Sequence, residues 1–82
     1  MNTTETRPLY QIARDIRKDW KPIHPWAIEY VQAMETMNSI KDNYIFDSGM
    51  EIVCKFLGNA STWRGSKAKE IKQELKSMAG IK

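Results

Sequence analysis

Apolar residues recur along this chain at three- and four-residue intervals in separate runs, and each run predicts a helix. Leu9, Ile12, Ala13, Ile16 and Trp20 form one stripe, with Arg14, Asp15, Arg17 and Lys18 largely opposite. That pattern predicts a helix from Pro8 to about Asp19, with Thr6 as its cap and Pro8 in a first turn, where its missing N–H costs nothing. Pro22 ends the segment, and Lys21-Pro22-Ile23-His24-Pro25 reads as a stiff connection because each proline steers its predecessor away from helical geometry. Ala27, Tyr30, Val31, Met34 and Met37, widened by Trp26 and Ala33, predict a second helix from Pro25 to about Asn38, with His24 as its cap.

The stretch from Asn38 to Asp47 is polar at first and then apolar at Tyr44-Ile45-Phe46, so its second half is expected to tuck against the bundle; a strand there would lack a partner. Ser48 followed three residues later by Glu51 is a capping-box signature. The helix it starts, to about Gly58, is apolar on most sides and is expected at the centre of the fold, with Cys54 as a small core residue and Gly58-Asn59 as a left-handed stop. A last helix from about Ser66 to Gly80 has a narrow seam of Ala68, Ile71, Leu75 and Met78, which suits the edge of a bundle. The expected fold is all-α: one domain over residues 1–82, four short helices, with residues 1–6 as a flexible tail. Eighty-two residues do not supply apolar surface for two independent cores.

Charge adds an asymmetry to this plan. Residues 1–24 carry +2, residues 25–60 carry −3 and residues 61–82 carry +4, giving the chain a net +3. Two basic clusters are therefore candidate partner-binding residues: Arg64, Lys67, Lys69, Lys72 and Lys76 in the last third, and Arg14, Arg17, Lys18 and Lys21 in the first. The bland reading is a solvated helix face, since Glu70 and Glu74 are interspersed among the lysines. Trp63-Arg64-Gly65 is read as a core plug beside an exposed arginine, and Trp20 and Trp26 are expected to pack likewise.

Candidate chemistry is sparse. The one histidine, His24, is fixed beside Pro25, and the one cysteine lies in a core pattern rather than in the electropositive, exposed setting of a reactive thiolate. Asp42-Asn43 and Asp47-Ser48-Gly49 resemble fragments of a calcium loop, but oxygen ligands do not alternate up to a terminal glutamate. A helix-turn-helix across Gly58 fails after the turn, where Asn59, Arg64 and Lys67 stand at positions that require apolar residues. No catalytic, metal or cofactor residues are expected, and the chain is read as non-enzymatic. No apolar run approaches the ~18 residues of a membrane span, and the polar start Met1-Asn2-Thr3-Thr4-Glu5 is unlike a secretory signal, so the expected location is the cytoplasm.

The run Arg7-Pro8-Leu9-Tyr10-Gln11-Ile12-Ala13-Arg14-Asp15-Ile16-Arg17-Lys18-Asp19-Trp20, then Tyr30 with Ala33-Met34, and Phe56-Leu57-Gly58-Asn59-Ala60-Ser61-Thr62-Trp63-Arg64-Gly65 with Ala68 and Ile71 to Lys76, resembles small helical proteins encoded by bacteriophages and other mobile elements. The resemblance spans nearly the whole chain and carries over no binding residue. It implies an accessory or regulatory protein that binds another protein of host or phage. The alternatives are a nucleic-acid binder without sequence preference, in which the same lysines meet phosphates, and a structural role through self-association.

Overall fold

The structure is a computed structural model that describes residues 7–45 and 47–80. It contains four helices, α1 (Leu9–Asp19), α2 (Pro25–Met34), α3 (Gly49–Gly58) and α4 (Ser66–Ala79), and a two-residue antiparallel hairpin, β1 (Asn43–Tyr44) with β2 (Asp47–Ser48). The expected all-α bundle is what forms. The helices run alternately up and down, each packing on the next, and α4 closes the ring against α1. One end of the bundle gathers the start of α1, the end of α2 and the start of α3. The other gathers Trp20, the end of α3 and the turn before α4.

Local chemistry sets most of the helix ends. Pro8 occupies the N-cap position of α1 and offers no side-chain acceptor, so the Leu9 and Tyr10 amides donate instead to the carbonyls of Asn38 (3.1 Å) and Met37 (2.9 Å). That exchange ties the start of α1 to the end of α2; the expected cap Thr6 lies outside the described residues. His24 caps α2 as expected, its Nδ1 accepting from the Trp26 amide at 3.1 Å. Helix α2 stops at Met34 rather than Asn38, because the chain tightens into three-residue turns: Thr36 N to Ala33 O and Met37 N to Met34 O, both 3.1 Å. Met37 is nevertheless buried.

Helix α3 carries the predicted box: the Glu51 amide donates to Ser48 Oγ at 3.2 Å and the Ser48 amide to Glu51 Oε1 at 3.0 Å. Its far end differs from expectation. Gly58 remains helical and Asn59 has φ −111°, outside the left-handed region; the Asn59 amide side chain closes the helix by donating to the Lys55 carbonyl at 2.9 Å. A left-handed stop falls instead at the end of α4, at Gly80 with φ 73°, and Gly65 before α4 has a positive φ of 114°.

The core takes residues from every helix, among them Leu9, Ile12, Ile16, Val31, Met34, Val53, Phe56, Ile71 and Leu75. Gly49 is buried at the start of α3 for a steric reason: a Cβ there would stand 2.6 Å from the Ile40 carbonyl oxygen. Cys54 corrects the sequence reading. It is exposed, with Met50 one turn before it 46% exposed, because α3 turns Gly49, Ile52, Val53 and Phe56 inward and leaves Met50 and Cys54 on its outer side with Glu51 and Lys55. The hairpin is a second correction, since Asn43 and Tyr44 do find partners, Ser48 and Asp47 respectively. Among the described residues no helix is long and apolar enough to cross a membrane.

Candidate interaction surface

Trp63, 2% exposed, is the plug expected from the sequence. Its ring stacks on Trp20 at 5.5 Å with 6° between planes, and Phe56 meets both indoles edge-on at 6.2 and 6.3 Å. Its indole N–H donates to Asp19 Oδ2 at 2.8 Å, so the polar edge of the ring is satisfied at the last residue of α1. Trp26 departs from the same expectation: at the start of α2 it is 73% exposed.

One residue of each basic cluster, Lys18 and Lys67, meets at the seam between α1 and α4, and not as a uniform positive face. An open groove of about 310 Å³ there is lined by Lys18 and Lys67 together with Asp15 and Asp19. Arg7 crosses the seam, its guanidinium paired with Asp15 and donating in bidentate fashion to Glu74 at 2.8 and 3.0 Å. The bonds to Glu74 and then Asp15 raise the Arg7 pKa against the opposing cost of burial, and the bond from Arg7 holds Asp15 below the usual carboxylate range.

Several of the predicted partner-binding cations are already engaged within the chain. Arg17 pairs with Glu35, which raises the arginine's pKa. Lys67 Nζ lies 3.4 Å from Glu70, and Lys72 Nζ donates to the Trp63 carbonyl at 2.6 Å. Arg14, Lys18, Lys21, Arg64 and Lys69 are exposed and Lys76 is half-buried. Among the described residues no group of three or more His, Cys, Asp or Glu side chains is arranged to hold a metal ion.

A different surface stands out at the end of the bundle where α1 and α3 begin. Ile45, first residue of the two-residue connection between β1 and β2, is 76% exposed and has φ 57°. A β-branched side chain is strained in that left-handed region, which Gly and Asn enter readily. Met50 on the first turn of α3 and Tyr10, 40% exposed on the first turn of α1, lie at the same end. The sequence reading missed this surface because it expected Tyr44-Ile45-Phe46 to tuck inward. Tyr44 does pack against the core, Ile45 does not, and Phe46 lies outside the described residues. The signal available was the two-residue spacing between Tyr44 and Asp47, a tight turn in which Ile45 is carried off the bundle. No protein-family model, curated protein or solved structure matches this chain.

Proposed function

We propose that this chain is a non-enzymatic accessory protein, of the kind made by bacteriophages and mobile elements, that binds another protein through the hairpin end of its bundle. The observation that carries the reading is Ile45, exposed to water and held at φ 57°. Holding a β-branched residue in the left-handed region costs about 1–2 kcal/mol, and leaving it exposed forgoes the gain from burial. A partner that covers the side chain supplies the missing burial, which offsets the strain. Met50 and Tyr10 extend the apolar surface that such a partner would meet.

A nucleic-acid binder is less well supported, because phosphate binding draws on cations free to release counterions. Here Arg17 and Lys67 are paired with carboxylates, and Asp15 and Asp19 line the same groove as Lys18 and Lys67. The test is a tagged pull-down from native-host lysate with nuclease present. Wild type is expected to retain a discrete protein, Ile45→Asn to lose it, and Lys18→Glu/Lys69→Glu to keep it. Equal retention by wild type and Ile45→Asn, or loss of all bound protein on nuclease treatment, contradicts the reading.

A further inference from the structure

Lys72 is held in an unusual way for a lysine on a bundle edge. Its Nζ donates to the Trp63 carbonyl at 2.6 Å and sits 5.9 Å from the Trp63 ring centroid. An ammonium has three N–H donors, and among the described residues the Trp63 carbonyl is the acceptor this one meets. Lys76 follows one helical turn later on the same face of α4, and Arg64 continues the chain from the carbonyl that anchors Lys72. Among the described residues neither Arg64 nor Lys76 has a carboxylate partner. The acids of α4 are committed elsewhere, Glu74 to Arg7 and Glu70 to Lys67. Burial, and then the charges of Lys76 and Arg64, hold the Lys72 pKa below the usual lysine value. The potential at this ammonium is therefore positive, and an anion placed there would relieve the repulsion.

We propose that Arg64, Lys72 and Lys76 form a binding site for a single phosphomonoester dianion, with Lys72 Nζ as its fixed donor. Two cations beside one held ammonium match a multiply charged group with several acceptor oxygens better than a lone carboxylate. A polyanionic backbone needs an extended row of cations, and among the described residues this flank of α4 adds only Lys69 to the three residues of the site. The neighbouring indole offers no stacking platform either, because Trp63 is 2% exposed and already stacked on Trp20. The site does not depend on the reading of the hairpin end.

The test is a titration followed by amide and side-chain NMR shifts, using inorganic phosphate, a Gly-phosphoserine-Gly peptide and an oligothymidylate, with sodium chloride at matched ionic strength as control. Phosphate is expected to move resonances of Arg64, Lys72 and Lys76 beyond the chloride control, and Arg64→Ala/Lys76→Ala to weaken binding about tenfold or more, as for loss of charge-assisted contacts. Arg64 is exposed and Lys76 half-buried, and neither is part of the core, so the double variant should fold; an unchanged Trp63 indole N–H resonance verifies it. Equal affinity for phosphate and the phosphopeptide identifies a free phosphate as ligand, and tighter binding of the peptide identifies a phosphorylated segment. Both support the site. Chloride giving the same shifts, the double variant binding like wild type, or the oligonucleotide binding more tightly than phosphate with shifts spread over Lys67 and Lys69 would overturn it.

Discussion

Trp63 reaches the fold through both of its chemistries, the ring against Trp20 and Phe56 and the N–H against Asp19. The two can be separated. Asp19→Ala leaves the apolar contacts and strands a buried donor, which costs about 1–3 kcal/mol; Trp63→Ala also empties the corner and costs about 3–5 kcal/mol. Urea unfolding followed by far-UV circular dichroism should rank them in that order. Gly49 tests steric complementarity without charge. Because the added methyl of Gly49→Ala meets backbone rather than a pliable side chain, the helix start must move away from Ile40. The expected loss is about 1–3 kcal/mol, although alanine is the better helix former. A neutral or stabilising Gly49→Ala, measured the same way, would mean that the approach to Ile40 contributes little.

Helix starts were legible where they rest on side-chain chemistry next in sequence: Ser48 with Glu51, and His24 before Pro25. Ser48→Ala removes the acceptor for the Glu51 amide, and a fall in stability of about 1 kcal/mol is expected from its thermal midpoint. Helix stops were less legible. Asn59 closes α3 with its side chain, which the pair Gly58-Asn59 does not distinguish from a left-handed glycine stop. The amides of α1 are satisfied by carbonyls nearly thirty residues on, a pairing that no local pattern contains. Cys54 and Met50 misled for a related reason: apolar residues on the outer side of α3, beside Glu51 and Lys55, blur the contrast by which periodicity says which face turns inward. Ile45 was missed because composition reports that a residue is apolar, not that a two-residue turn points it at solvent.

Closure of the helix ring links α1 to α4, and part of that link is electrostatic. Asp15 titrates below its usual range in the folded chain because Arg7 donates to it. The folded form thus binds its proton less readily than the unfolded form does, so the stability this gives is present at neutral pH and is lost as pH falls through the acidic range. Asp15→Asn should flatten the acid limb of a stability–pH profile while leaving the profile above neutrality nearly parallel to wild type; an unaltered acid limb would mean that the bridge adds nothing in solution. The same internal pairing is why a count of basic residues does not say which of them stand free. Charge counts are legible in sequence, but whether Arg17 meets Glu35, or Lys72 the Trp63 carbonyl, depends on which helices become neighbours.

The central claim is that Ile45 is strained and exposed for the sake of a partner, and one variant measured two ways tests it most directly. Asn enters the left-handed region at less cost, so Ile45→Asn is expected to raise stability by about 1 kcal/mol in thermal unfolding while abolishing capture of the protein partner in the nuclease-treated pull-down. A variant that is more stable and still captures the partner would contradict the claim, by leaving the hairpin end strained but without a role in binding.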